Sequence, residues 1–409
     1  MEFERLRPER ITVFATGTEG YGIRRCLVAM AEGLAARGVA VHFAALSGTG
    51  RLADVLKQRQ WPATVFAEGP PRSVSGGGLG KLVGIGSRGG AQIAAARRLA
   101  RCVRETGSEA ILLCSPLETL AASAAARMTG VKAFWMVPNE INSGYPLDLN
   151  KRLYRALFRH GNLVPLANSR FTDASLGPGA FQRHVCHLGI DPAEFDPALD
   201  GNRTRAGLGI PDEAVVIGLF ARMVENKGQL QMLRAIATLG GKARDVHLLL
   251  CGGPMDTPYV AKLREEAAAH GIADRIHLMG EQNDMLGFYQ VSDIVANSRL
   301  DPEPFGLSVI EGMMLGKPVL AHRAGGPAET VVDGKTGWLI PSPDLEAFTA
   351  ALERVLADRP RWPDMSAQAR AHALAHFTAA HMVERVLAVM RQNLHAVTAR
   401  VDLPGEGGR

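Results

Sequence analysis

DPEPFGLSVIEGMMLGKPVLAHRAGGPAETV, Asp301–Val331, is the stretch on which the reading of this chain turns. It sets Glu303 and Glu311 eight positions apart, with Phe305, Gly306, Leu307 and Ser308 between them. The preceding "DIVA" has strand character, so Glu303 falls on a loop at a strand's carboxyl end, and Pro304 cannot continue a ladder. "LSVIEGMMLG" has helical periodicity, with Val309, Met313 and Met314 on its apolar face, and stops at Gly316 before Lys317-Pro318. That spacing predicts Glu311 in the first turn of the helix. The amides around Gly306, Leu307 and Ser308 then lie at a helix start, where unpaired N–H groups and roughly half a positive charge favour phosphate. Gly306 lets the backbone approach closely. A carboxylate on each side has two acceptor oxygens, which suits vicinal hydroxyls. Together the parts describe a seat for a diphosphate between two sugars. Glu311 by itself could equally do no more than favour the helix dipole.

Upstream, "LFARMVENKG" (Leu219–Gly228) follows a strand and places Arg222 and Lys227 on a strand-to-helix loop, on the same sheet rim as Glu303. Arg can neutralise a diphosphate bidentately and Lys as a point charge. The strand itself, "AVVIGLF" (Ala214–Phe220), opens an alternation of strands ("VHLLLCG", "RIHLMG", "DIVANS", "PVLA", "GWLI") with helices such as "GQLQMLRAIATLG" and "TPYVAKLREEAAAHG". The latter helix has Thr257 at its N-cap, Pro258 behind it and Gly271 past its end. Before Gly189 the chain shows a first alternation, with strands "ITVFA", "VAVHFAAL", "AILLC", "VKAFWMV" and "LVPLAN". Between the two, "GIDPAEFDPALDGNRTRAGLGIP" has linker chemistry. Two helical stretches, Leu345–Asp358 and Thr378–Ala399, close the chain, and "SVSGGGLG" (Ser73–Gly80) reads as a loop. The expected class is therefore α/β, with two Rossmann-like parallel-sheet domains facing across a cleft.

The 409 residues suit two domains, and 46% hydrophobic with 21% charged residues is ordinary globular composition. No apolar run approaches the ~18 residues of a membrane span. The charged opening "MEFERLRPER" lacks the apolar segment of a signal peptide, so the expected location is cytoplasmic, with peripheral contact at the inner face of the membrane as an extension. Cys26, Cys102, Cys114, Cys186 and Cys251 form no CxxC and read as small buried hydrophobes. Residues 1–190 carry a formal balance of +11 and the remainder −6, giving +5 overall. The basic half points to an anionic partner, such as a phospholipid surface or phosphorylated substrate, unless it is only Arg-rich composition. Nothing points to nucleic acid.

With these motifs in this order, the chain resembles the retaining glycosyltransferases of family 4 (glycosyl transferases group 1), which have the GT-B fold. "EPFGLSVIE" is similar to the family's E-x7-E motif and "RMVENKG" to its diphosphate loop. "AGGPAETVVDGKTGWLIPSPD" resembles the glycine-rich segment that follows, "LANSRFT" and "LGIDPAEFDP" the interdomain region, and "HFTAAHMVERVLAVM" the closing helix. The resemblance implies an acceptor-side domain over 1–190, a nucleotide-sugar donor domain over 191–376, and a helix over 377–400 returning to the first domain. It implies that Glu303 touches the donor sugar, Glu311 the ribose, and Arg222 and Lys227 the diphosphate. Amides from Gly306 to Ser308, beside Phe305, would hold phosphate, and backbone near Gly280 and Glu281 the base.

In the first half, "ATGTEGYGIRR" (Ala15–Arg25) has GxxGxG spacing rather than GxGxxG, and "VAVHFAALSG" lacks the acid that an NAD ribose needs. Gly20 and Gly22 read either as a cleft-facing glycine loop that lets a ligand approach or as a tight turn. In "FWMVPNEINSGYP" the chain departs from the family. Asn139, followed by Glu140 and Asn142, stands where many relatives carry a His facing the reacting sugar. An amide can hydrogen-bond a hydroxyl but cannot take a proton. Arg97, Arg98, Arg101 and Arg104 form a basic helical face, open to anionic lipid or simply solvated. His160, His184 and His187 lack metal-ligand spacing, and no DxD is present. No metal or other cofactor is expected.

The expected activity is metal-independent, retaining transfer of a sugar from a nucleotide-diphosphate sugar to a glycan, lipid-linked or small-molecule acceptor. The rivals are a nucleotide-sugar epimerase of the same architecture and a catalytically silent nucleotide-sugar-binding protein. A nicotinamide oxidoreductase is disfavoured by the glycine spacing.

Overall fold

Short runs of Val, Ile, Leu, Phe and Ala that are apolar on both faces can be buried only in a sheet covered on both sides, and such sheets are parallel. The computed structural model, which describes residues 8–67, 79–141, 148–199, 205–282 and 284–401, contains two of them. Its secondary elements alternate strand and helix through both halves, and all strand pairs are parallel.

The first unit comprises Met1–Leu188 and Ala379–Arg409. Its strands are β1 (Arg10–Ala15), β2 (Ala40–Ala45), β3 (Ala63–Val65), β4 (Ala110–Leu113), β5 (Lys132–Val137), β6 (Leu163–Ala167) and β7 (His184–Val185). They lie in the order β3-β2-β1-β4-β5-β6-β7. One face packs Ile11, Val13 and Phe134 against Met382, Val383, Val386, Leu387 and Met390 of the closing helix, Ala379–Val401. Gly33, in the helix Tyr21–Ala35, sets that contact, because a Cβ there would come within 2.5 Å of Val383 Cγ2. The other face packs Phe14, Leu113 and Trp135 against the helices Leu79–Thr106 and Thr119–Thr129.

The second unit is Gly189–Thr378. It contains β8 (Val215–Phe220), β9 (Val246–Cys251), β10 (Ile276–Gly280), β11 (Ile294–Asn297), β12 (Val319–His322) and β13 (Gly337–Ile340), ordered β10-β9-β8-β11-β12-β13. From β8 the chain winds outward one way through β9 and β10, then restarts beside β8 and winds the other way from β11. The point of reversal lies between β8 and β11. A doubly wound sheet leaves its binding crevice there, outside the carboxyl ends of the strands.

Three local readings need correction. The helix Trp362–His376 was not expected; Pro363 opens it, and its apolar residues show little sidedness, so periodicity could not reveal it. Strands β3 and β7 are too short to show alternation. Within "SVSGGGLG", Leu79 and Gly80 already belong to a helix, and residues 73–78 lie outside the described residues, as does Asn142. The five cysteines are buried free thiols. No helix among the described residues is long and apolar enough to cross a membrane.

Candidate functional site

The loops after β8 and β11 form the rim of the second unit's reversal point. The β8 loop turns through Arg222–Gly228, and its shape is imposed from beneath. The buried Gln229 side chain donates from Nε2 to the Arg222 carbonyl (2.8 Å) and accepts at Oε1 from Tyr259 (3.1 Å). Burial pushes the Tyr259 phenol up to about 12, which keeps it a donor. Ser298 Oγ donates to the Lys227 carbonyl (2.9 Å), tying this loop to the one after β11. Gly228 makes the approach possible: its φ is +73°, and a Cβ there would stand 1.9 Å from the Ser298 carbonyl oxygen.

The β11 loop, Ser298–Phe305, is held by the glycine-rich segment after β12. The amide of Gly326 donates to the Glu303 carbonyl at 2.7 Å, and Glu303 bridges Gly325 in parallel register. A Cβ on Gly325 would meet the Glu303 carbonyl oxygen at 2.0 Å. The loop then places Phe305 in the core and ends at Gly306, whose φ of +89° starts the helix Leu307–Met314. The first amides of that helix have no acceptor within it. Asn297, at the end of β11, donates from Nδ2 to Ser308 Oγ (3.3 Å) beside them.

Lys227 Nζ lies 2.7 Å from Glu303 Oε2, with both side chains about 85% shielded from solvent (15% and 14% exposed). The structure therefore joins two expected site residues in one ion pair. Glu303 Oε1 accepts a second bond, from Arg299 Nη1 at 3.3 Å. Arg299 in turn grips Asp301 with Nε (2.6 Å) and Nη2 (2.7 Å). That grip raises the Arg299 guanidinium and holds the Asp301 carboxyl below its ordinary range. Arg222 is exposed on the same loop as Lys227, and its guanidinium meets no hydrogen-bonding partner among the described residues.

Glu311 departs from expectation. It is the fifth residue of its helix, in the second turn rather than the first, and only 3% exposed. Its Oε2 accepts a 2.5 Å bond from Tyr289 Oη. Tyr289 is stacked on Phe220 at the end of β8 (centroids 3.8 Å) and meets Phe195 edge-on. Glu311 thus fastens its helix to an aromatic cluster under the rim. Gly280 ends β10 with φ +70°, its carbonyl accepting from Gly252 (2.8 Å), and Glu281 follows on the same rim.

The remaining expected residues belong to the first unit. Gly20 caps the helix Tyr21–Ala35 with φ −66° and open space where a Cβ would stand, while Gly22 lies in that helix's first turn. The position that requires glycine in this loop is Gly17, with φ +92° and the Ser47 carbonyl oxygen 2.4 Å from its Cβ direction. Asn139 is exposed just past β5, and Asn168 donates to the neighbouring Pro138 carbonyl at 2.9 Å. On the basic helix, Arg98 bonds the Phe66 carbonyl and Arg104 the Met128 carbonyl, so two of the four arginines fasten the first unit. Among the described residues, no three His, Cys, Asp or Glu side chains are grouped to hold a metal.

Arg299, Asp301 and Tyr289 were missed in the sequence. The R-x-D-x-E spacing of Arg299, Asp301 and Glu303 was a usable signal. Tyr289 gave none, because its partner is twenty-two positions away across a strand and a loop.

Two parallel sheets of this topology, helix-covered on both faces, define the GT-B fold. HepE of Anabaena, solved in complex with UDP and glucose, superposes with a TM-score of 0.77 at 20% identity, covering 94% of this chain and all of HepE. Residues 200–372, most of the second unit, match the family model described as glycosyl transferases group 1. The GDP-mannose-dependent alpha-(1-6)-phosphatidylinositol monomannoside mannosyltransferase of Mycolicibacterium smegmatis is 34% identical over 215 residues, which is 50% of this chain and 55% of that protein. The D-inositol 3-phosphate glycosyltransferase of Corynebacterium diphtheriae is 34% identical over 202 residues, 48% of this chain and 47% of that protein. The chain spans about half the length of the curated relatives it matches.

Proposed function

We propose that this chain is a retaining glycosyltransferase that takes a sugar from a nucleotide-diphosphate sugar without a metal ion. The observation that carries the reading is the meeting of Lys227, Glu303 and the start of the helix Leu307–Met314 at the β8/β11 reversal. The chemical difficulty of such a transfer is departure of a diphosphate while positive charge builds on the anomeric carbon. Lys227, Arg222 and the helix amides offer positive charge where the leaving group would lie, the task a metal performs elsewhere. Glu303 offers a carboxylate next to them, suited to the hydroxyls of the transferred sugar. Retention follows if the acceptor attacks from the face the diphosphate leaves, with the departing phosphate taking its proton.

The acceptor side is less determined by the residues. The balance of +11 over residues 1–190 favours an anionic acceptor. Two relatives are named for phosphatidylinositol monomannoside and D-inositol 3-phosphate, which is consistent with that charge. Asn139 favours one competing reading, a nucleotide-sugar-binding protein without turnover.

A thermal-shift screen against UDP- and GDP-sugars tests the donor, because a ligand selective for the native state raises Tm. Transfer assays follow with and without EDTA, and NMR of the product's anomeric proton reads retention. A shift without transfer to any acceptor supports the silent binder. Sugar isomerisation without acceptor supports an epimerase. No shift with any nucleotide sugar removes the proposal.

A further inference from the structure

The ion pair between Lys227 and Glu303 poses a problem for the function just proposed, on which this inference rests. A lysine that binds diphosphate must turn its ammonium toward phosphate, yet here it neutralises a glutamate only 14% exposed. Drawing Lys227 away leaves a shielded carboxylate without its nearest cation, a costly state where no other partner remains.

Another partner does remain. Arg299 bonds the second oxygen of Glu303 and is itself held at both its guanidinium and its carbonyl. Asp301 holds its Nε and Nη2 in a two-pronged contact. Its carbonyl accepts from Nδ1–H of His322, a buried residue at the end of β12. Asp301 also accepts from Asn226 Nδ2 (3.5 Å), on the Lys227 loop. The fork geometry of a guanidinium makes such a grip rigid, whereas the lysine ammonium is a point charge on a flexible stem. Charges therefore alternate along Lys227, Glu303, Arg299 and Asp301. The lysine on its flexible stem ends the row on one side, and the clamped guanidinium stands on the other side of Glu303.

We infer that Arg299 is a positioning residue that holds Glu303 in its sugar-facing pose when Lys227 is drawn to the diphosphate, with Asp301 keeping Arg299 from following. Arg299 then contributes to recognition of the sugar and not of the nucleotide diphosphate. Lys227 contributes to both.

The test compares binding of UDP with UDP-glucose, and of GDP with GDP-mannose, by calorimetry on the full chain, using whichever pair shifts the wild type. Arg299→Gln is expected to keep nucleotide diphosphate affinity within about twofold and to weaken the sugar nucleotide about tenfold, the loss of one charge-assisted bond. Glu303→Gln should do the same. The double variant should be no weaker than either single one, because Arg299 acts only through Glu303. Arg299→Lys should recover part of the loss. Asp301→Asn, which keeps the loop's shape, should give a smaller loss of the same kind, and it stands in should Arg299→Gln fail to fold. Equal weakening of nucleotide diphosphate and sugar nucleotide, or losses that multiply in the double variant, overturns the inference while leaving the function proposed above intact. A wild type that binds none of the four ligands overturns both.

Discussion

Both sheets reverse direction once, and the two reversal points carry opposite chemistry. In the second unit, the loops after β8 and β11 bring together exposed Arg222 and Asp301 with Lys227, Arg299 and Glu303, which keep 14–18% exposure. In the first unit, the loops after β1 and β4 bring together two carboxyls that water hardly reaches, Glu19 (5% exposed) and Glu118 (1%). Glu19 accepts from the Thr16 amide (2.5 Å), the Thr16 hydroxyl (2.7 Å) and the Gly17 amide (3.0 Å). Glu118 accepts at Oε2 from the Ser115 amide (3.2 Å). Burial, and then the charge of Glu19, push the Glu118 carboxyl well above its ordinary range. The same topology thus yields one rim with an alternating row of cations and carboxylates and another whose carboxyls fasten its own loops. A reversal point locates a crevice, and the side chains decide whether it is a binding centre or a brace.

That contrast can be broken most sharply at Lys227. Lys227→Ala should reduce transfer by about 10²- to 10³-fold, as loss of a preorganised cation at a leaving group does. Far-UV circular dichroism should stay native. Wild-type turnover would remove the second rim as the catalytic one.

Gly228→Ala attacks the same rim through its backbone. The new Cβ would collide with the Ser298 carbonyl at a φ of +73°, so the Lys227 loop must leave the β11 loop. Stability should fall by about 1–3 kcal/mol, measured by urea unfolding, with sugar-nucleotide binding lost in parallel.

The two rims should also respond to pH in opposite senses. Asp301, held below its ordinary 3.8, contributes stability that is present above that value and lost as pH falls through its folded pKa. Glu118, raised above its ordinary 4.5, contributes stability that is full below that value and lost as pH rises toward its folded pKa. Melting curves of wild type against Glu118→Gln should therefore diverge in favour of the variant as pH rises above 4.5. Curves that run parallel across neutral pH would show that Glu118 ionises freely.

The smallest effect is expected at Gly20. Gly20→Ala has an ordinary φ and open space, so stability should change by less than about 0.5 kcal/mol. Gly17→Ala, by contrast, should be clearly destabilising, with φ +92° and a carbonyl in the way. An activity loss in Gly20→Ala at unchanged Tm would favour the reading in which a ligand approaches that backbone over the tight turn.

The α/β class was readable because each buried strand announces itself locally, by a short apolar run between turn residues. The same holds for the loop placement of Arg222, Lys227 and Glu303, since a loop at a strand's carboxyl end is a local fact. Glu311 shows where that reading stopped. The helix begins at Leu307 as its periodicity indicated, but Glu311 is its fifth residue and so falls in the second turn, buried under Tyr289, rather than in the first. The helix Trp362–His376 went unseen for a related reason, since its weak apolar sidedness leaves nothing for periodicity to detect.

Sequence by itself determined the alternation of strand and helix, the glycines that permit close turns, and the presence of two cations and one acid, Glu303, on neighbouring loops. Tertiary structure decided the pairings: Lys227 with Glu303 across seventy-six positions, Arg299 clamped by Asp301, and Glu311 under Tyr289. Periodicity is carried by neighbours along the chain. An ion pair depends on a few ångströms between loops, and that distance is set only when β8 and β11 lie side by side.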